Sequence, residues 1–388
     1  MEFHRLLKMD LPKRQSAFLW GARKTGKSTY LKQNFPDAIY YDLLQMDTFS
    51  RFLKQPHLLR EELLANIDQV TKHPVIIDEI QKIPDLLNEV HHLIEAKKIQ
   101  FVLCGSSARK LKRLGTNMLG GRAWRYTFYP LVFPEIPNFN LLKALNHGLI
   151  PDHYQDIHYR KSIKAYLFNY LKEEIQAEAL VRNLAAFSRF LDVQAYGHGQ
   201  LTNFNNISRD CGVDSKTVKE YFQILVDTLL GYFIYPFHGK KSRDEIISIP
   251  KFYLFDVGVS QALTKLRIAE LRGAVAGAAF EHYILMELIA YRGLNDLDFP
   301  IYFWRSKSGL EVDFVLGEGE IAIEVKISTT VHKSEISGLL AFQETYQPKK
   351  ALVISQDVRP RQLSVKDKDI LILPWKEFLT QLWKGKII

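Results

Sequence analysis

The feature that most limits what this chain can fold into is a short run near its start. Ser16 to Trp20 is apolar enough for a buried strand, and Gly21-Ala22-Arg23-Lys24-Thr25-Gly26-Lys27-Ser28 follows without a gap. Thr29-Tyr30-Leu31-Lys32-Gln33 then keeps helical character up to Pro36, a natural stop. Strand, glycine-bounded loop and helix in this order make a phosphate cradle. The glycines let backbone N–H groups turn toward phosphate oxygens, and the start of the helix adds partial positive charge at the same place. The expectation is that Gly21–Ser28, with Thr29, hold ATP. Lys27 would reach the β- and γ-phosphates, and Ser28 would ligate Mg2+.

A loop of this kind needs a partner that handles the metal ion and water. The stretch His73-Pro74-Val75-Ile76-Ile77-Asp78-Glu79 supplies one, because its apolar run ends in two acids. As a buried parallel strand it brings Asp78 to the carboxyl end of the sheet, beside the loop. Asp78 is then expected to hold Mg2+ and Glu79 to deprotonate the attacking water, the task that phosphoryl transfer to water sets. A third strand, Gln100 to Gly105, ends in Ser106-Ser107. A basic helix from Arg109 to Arg113 and Gly120-Gly121-Arg122 come next. Arg122 is a candidate arginine finger for its own site or for a neighbour's, in which case the protein is a homo-oligomer. Phe128-Tyr129-Pro130-Leu131-Val132-Phe133-Pro134 is expected to close this sheet.

At 388 residues the chain has room for two or three domains. Its net charge of +9 fits a nucleic-acid partner and fits a plain basic protein equally well. Cys104 and Cys211, the two cysteines, make no disulfide framework and no Cys/His cluster has zinc spacing. The N-terminus leads into no signal-peptide core, and no apolar run suggests the ~18–20 residues of a membrane span. These readings point to a cytoplasmic protein with no membrane partner.

The middle of the chain reads as helical. Ile163, Tyr166, Leu167, Tyr170, Leu171 and Ile175 fall at helical spacing between Tyr159 and Leu191, where a lid is expected. Asn206–Cys211, the turn Gly212-Val213-Asp214 and Ser215–Leu225 follow as helix, turn and helix. The second helix of such a unit can enter the major groove, which would set Ser215, Lys216, Thr217 and Lys219 against nucleic acid, with DNA the expected form. The apolar strand Gly231–Tyr235 would begin a wing, followed by Lys240, Lys241 and Arg243.

The last third carries a second constellation. Gly277 to Tyr291 reads as an amphipathic helix bearing Glu281, and Pro300–Trp304 as a strand. Gly309–Leu316 and Ile321–Ile327 are strands joined by Gly317-Glu318-Gly319-Glu320. Alternation puts Glu311 and Asp313 on one face of the first, and Glu324 and Lys326 on one face of the second. A hairpin can therefore gather Asp313, Glu324 and Lys326. Two carboxylates suit Mg2+ or Mn2+, Glu281 could add a contact, and Lys326 would position or deprotonate a water for phosphodiester cleavage.

Taken in order, these motifs resemble a prokaryotic group of AAA-type P-loop ATPases with a C-terminal domain of unknown function. The resemblance runs through Gly21–Ser28, Ile77-Asp78-Glu79-Ile80-Gln81, Gly105-Ser106-Ser107 and Gly121-Arg122. It continues in Tyr253-Leu254-Phe255-Asp256-Val257-Gly258, Phe280-Glu281, Trp304 to Val315 and Ile323-Glu324-Val325-Lys326. It implies an α/β protein with a P-loop NTPase parallel sheet over residues 1–137. A helical lid (138–192), a winged helix (193–248) and a restriction-endonuclease-like domain (249–388) similar to PD-(D/E)XK nucleases would follow. In that pattern Ser106 or Ser107 senses the γ-phosphate, Asp313 and Glu324 are metal ligands, and Lys326 is the catalytic base. Val312 stands where the pattern has proline. The expected activity is ATP hydrolysis whose state gates the nuclease-like module. The alternative is an ATP-driven switch whose last domain only binds DNA or protein.

Overall fold

The computed structural model describes residues 3–107, 109, 119–167, 183–239, 249–365 and 368–388. The chain forms two compact units. One is Glu2–Leu131 with Asp227–Leu230, and the other is Val132–Val226 with Gly231–Ile388.

The first unit is built on a five-stranded parallel sheet. Its strands are β1 (Ser16–Trp20), β2 (Ile39–Asp42), β3 (Val75–Asp78), β4 (Phe101–Gly105) and β5 (Ala123–Thr127), in the order β2-β3-β4-β1-β5. β1, β3 and β4 are buried along their whole length, which is why they read as continuous apolar runs rather than as alternating ones. Phe18, Ile77 and Leu103 pack with Leu59, Val90 and Leu93 from covering helices in one apolar core. All strands run the same way, so their carboxyl ends share one edge. Two expectations change here. The closing strand is Ala123–Thr127, not Phe128–Pro134, which lies beyond it in irregular structure. As an edge strand β5 is half exposed, so it lacks the apolar signature that drew attention to Phe128–Pro134. β2 was not foreseen at all, and its residues are all only partly buried.

The second unit holds a mixed sheet of eight strands. They are β6 (Gly231–Pro236), β7 (Lys251–Leu254), β8 (Ile301–Arg305), β9 (Glu311–Leu316), β10 (Ile321–Val325), β11 (Lys350–Ser355), β12 (Arg361–Val365) and β13 (Lys368–Pro374). Their order is β12-β13-β11-β10-β9-β8-β6-β7. Trp304, Val312, Val315, Leu339, Phe342 and Val353 form a core between this sheet and the helix Ser337–Tyr346. The segment expected to begin a wing is β6. It pairs antiparallel with β7 and parallel with β8, so it belongs to this sheet and not to a separate wing. Lys240, Lys241 and Arg243 lie outside the described residues, as do Tyr170, Leu171 and Ile175 and most of the basic segment after Arg109.

The long helix of the unit is Gly273–Leu294. By length and composition it is the one helix among the described residues that could cross a membrane, a candidate that inspection of the sequence passed over. Two thirds (67%) of its most apolar window is buried within the protein, the behaviour of a core helix.

Candidate functional site

The phosphate loop sits where β1 ends. Lys24 and Gly26 have left-handed backbones (φ 60° and 99°), and the second favours glycine. The helix Lys27–Asn34 starts at Gly26 with no side-chain hydrogen bond capping it, so its first N–H donors are not taken up by a capping side chain. Thr25 Oγ1 donates to Ala22 O (2.7 Å), which tightens the loop. Lys27 Nζ donates to Gly21 O (2.7 Å) and Ala22 O (3.0 Å), so the ammonium rests on the loop's own carbonyls. Arg5 braces the outside: its guanidinium donates to Thr25 O (2.6 Å) and Tyr129 O (2.7 Å) and lies 4.2 Å from the centre of the Phe128 ring.

The neighbouring strand ends deliver the other expected groups. β3 lies beside β4, and β4 beside β1. Ser28 Oγ donates to Asp78 Oδ2 at 2.6 Å, so the two expected Mg2+ ligands already meet. Tyr40 on β2 donates to the same oxygen at 2.5 Å. Burial, then the Asp78 charge, push the Tyr40 hydroxyl far above its usual range, so it stays a donor. Glu79 is buried and left-handed (φ 60°), a strained state that a non-glycine residue adopts only where its surroundings enforce it. Gln81 supplies part of that enforcement. Its Nε2 donates to Glu79 Oε2 and, at 3.1 Å, to Ser106 Oγ. A Cβ on Gly105 would lie 2.2 Å from Gln81 Oε1, so the close approach needs glycine there. Ser107 is turned elsewhere: its hydroxyl accepts from Arg109 N (3.0 Å) and donates to Asp227 O (3.4 Å). Of the two serines, Ser106 is the one joined to the acid.

Arg122 is placed differently. Its residue precedes β5 and faces Ser16 at the start of β1, the amino edge of the sheet, while the loop leaves from the carboxyl edge. Its guanidinium pairs with Glu95. It does not serve the site of its own unit.

In the second unit, β9 and β10 bring the expected acids together. Their register pairs Ile323 with Phe314, and one step further sets Glu324 opposite Asp313. Val325 N donates to Asp313 Oδ2 (2.7 Å), and Lys326 Nζ donates to Glu324 Oε1 (2.5 Å). Glu324 Oε2 is buried and has no hydrogen-bond partner. Burial, followed by repulsion from Glu324 and Glu281, raises the Asp313 carboxyl well above its usual range. Burial also raises Glu324, to about 7, against the pull of Lys326. For Lys326 burial works downward, yet Glu324 and Asp313 outweigh it and the net shift is upward.

Glu281 is held by other groups. Tyr253 OH donates to its Oε1 at 2.5 Å, and Lys251 Nζ lies 3.5 Å from the same atom. Lys251 also pairs with Glu311, which accepts from Arg305 as well (3.1 Å). Lys251 was not anticipated, and Tyr253 and Arg305, which stand in the motifs quoted above, were given no role there. Among the described residues no group of three His, Cys, Asp or Glu side chains is close enough to hold a metal ion. The expected three-acid centre of Asp313, Glu324 and Glu281 is thus not assembled.

The helix–turn–helix order is present as Phe204–Cys211, a left-handed Gly212 and Ser215–Asp227. Thr217 is occupied: its N and Oγ1 both donate to Asp214, at 2.8 and 2.9 Å. Lys219 Nζ lies over the Phe204 ring at 5.5 Å. Lys216 is exposed and Ser215 half-buried. Acidic Asp210, Asp214 and Glu220 interleave with these lysines, so the helix is no basic stripe. Both cysteines are buried free thiols.

The comparisons with known proteins agree with this division. Residues 13–137 match the AAA domain family. Residues 138–270 and 276–378 match two domains of unknown function, DUF8612 and DUF4143. Over 283 residues, 69% of its length, the chain is 25% identical to the uncharacterized protein Mb2031c of Mycobacterium bovis, and equally so to the uncharacterized protein Rv2008c of Mycobacterium tuberculosis. The match spans 62% of each relative. The AAA domain, on its parallel α/β sheet, points to an ATPase-type function and implies ATP and Mg2+ as its ligands.

Proposed function

We propose that the chain is a Mg2+-dependent ATPase that works with nucleic acid, the nucleotide state gating a C-terminal nuclease-like module. One observation carries the ATPase part: the phosphate loop, Asp78, Glu79 and Ser106 stand on adjacent strand ends, already linked by hydrogen bonds. Lys27 leaves Gly21 O and Ala22 O for the β- and γ-phosphates, and the uncapped helix start takes phosphate oxygens. Ser28 and Asp78 would hold the Mg2+ ion, which would supply positive charge against the charge developing on the phosphates. Glu79 takes a proton from the attacking water, and Ser106 senses the γ-phosphate. Glu79→Gln tests this: ATP should still bind while turnover falls. Normal turnover would refute the assignment.

For the second unit the paired Asp313 and Glu324 with Lys326 support a nuclease-like site. The resident side chains do not fit a three-ligand metal centre as arranged, so no cleavage step is derived. That misfit favours a second reading, in which the protein is an ATP-driven switch and this domain binds nucleic acid or protein without cutting. Incubation of DNA with Mg2+ or Mn2+, with Asp313→Ala as control, separates the two. The nucleic-acid part, through Ser215, Lys216, Thr217 and Lys219, is tested by ATPase rate with and without DNA across salt. Phosphate contacts make any stimulation fall steeply with salt. Arg122 completes a neighbour's site only in a homo-oligomer, which sedimentation with ATP would reveal.

A further inference from the structure

The nuclease-like cluster contains a cation of its own. Lys251 comes from β7, and its side chain is only 5% exposed. Its ammonium is surrounded on three sides: Glu281 from the long helix, Glu311 from β9, and the Phe303 ring of β8 at 5.3 Å. Tyr253, two residues along the same strand face, fixes Glu281 for it. These are the contacts of a seated counter-ion, not of a surface lysine reaching for water. An ammonium left without its partners here would be costly, and so would carboxylates left without it.

We propose that Lys251 is the resident cation of the carboxylate cluster, its ammonium taking up Glu281 and Glu311 so that these residues, as arranged, do not fit a divalent metal ion. The inference rests on the nuclease-like reading of Asp313 and Glu324. It explains why the acids are gathered yet no three-ligand set forms: the third carboxylate is tied to lysine. The buried Glu324 Oε2, which has no hydrogen-bond partner, is a second sign that the protein's own groups leave this cluster incompletely satisfied.

The test is Mn2+ binding to the full chain without nucleotide, by calorimetry and by the electron paramagnetic resonance of bound ion. The signal assigned to this site is the part lost on Asp313→Asn. Lys251→Met should bind Mn2+ at this site at least about tenfold more tightly than the unmodified chain, a difference of about 1.4 kcal/mol. Lys251→Arg, which keeps the charge, should show no such gain. Should Lys251→Met fail to fold, Lys251→Gln, which removes the charge but keeps a polar contact to Glu281 and Glu311, carries the same expectation. Equal, Asp313-dependent affinity in the unmodified chain and in Lys251→Met overturns the inference and leaves the metal-site reading standing. No Asp313-dependent Mn2+ in any variant overturns both.

Discussion

The two charged sites of this protein are assembled in opposite ways. In the first unit the working groups sit where parallel strands end, and most of the binding capacity is backbone: a loop with two left-handed residues and an uncapped helix start. The N–H groups carry only partial charge, and the buried Lys27, Asp78 and Glu79 beside them are each held by hydrogen bonds to neighbouring polar groups rather than gathered into one cluster of ions. In the second unit charged side chains are gathered: Asp313, Glu324 and Lys251 are buried, and Glu281, Glu311, Lys326 and Arg305 are half-buried around them. Asp313, Glu324, Glu281 and Glu311 face Lys251, Lys326 and Arg305 across four strands and a helix. Such a cluster holds only while each ion keeps its partner. A site of backbone dipoles waits for its ligand, whereas a site of gathered ions has to be balanced before any ligand arrives.

The sharpest way to break this contrast is to remove one group from each site. Glu79→Gln should slow ATP hydrolysis by about 10²–10⁴-fold, the usual cost of losing a general base, and leave ATP affinity intact. Single-turnover hydrolysis beside equilibrium nucleotide binding measures both. Lys251→Ala should act on stability instead, costing roughly 1–3 kcal/mol, because half-buried Glu281 and Glu311 lose a charged partner and keep only Tyr253 and Arg305. Denaturant titration would show it, and a loss below ~1 kcal/mol would mean that the cluster is not held by its ions.

Gln81 sharpens the account of the first site. It touches no phosphate loop residue in the described contacts, but its amide ties Glu79 to Ser106. It is a positioning residue, and Gln81→Ala should lower kcat about tenfold at unchanged ATP affinity. In a Glu79→Gln background the same change should cost almost nothing, because residues acting as a unit are not additive. Full additivity would assign Gln81 a merely structural role.

How much of this could be read beforehand follows from the same contrast. The loop and the strand ending in Asp78-Glu79 are contiguous in the chain, and so is the hairpin that aligns Asp313 with Glu324. Period and local turn chemistry made them legible. Tyr40 was missed because β2 is half-exposed and has no apolar run. Gln81 was visible in the motif but its reach to Ser106 depends on β3 lying beside β4. Lys251, and the role of Tyr253, were hidden for a further reason. β7 joins the cluster only through the packing of β7 and the long helix, which bring residues 251, 281 and 311 together. The supposed wing strand misled for a related cause: an apolar strand after a helix–turn–helix looks the same whether it starts a wing or enters a larger sheet.

The smallest expected effect concerns protons. Glu324 is raised from 4.5 to about 7 in the folded protein by burial. Between those two values the folded chain keeps a proton that the unfolded chain has released. Stability from this group is therefore greatest at the acid end of the window and falls as pH rises toward 7, after which it is level. For one proton the slope cannot exceed ~1.4 kcal/mol per pH unit. Asp313 is raised in the same direction by burial and by Glu324, so it contributes a trend of the same sign. Glu324→Gln should flatten the profile, since its amide has nothing to release. Hydrogen exchange at the Val325 amide, which donates to Asp313, reports on this strand alone and avoids mixing the two units. Val325 protection that rises from pH 5 to 7 in the unmodified chain, once intrinsic exchange rates are divided out, would contradict a cluster whose acids are strained by burial.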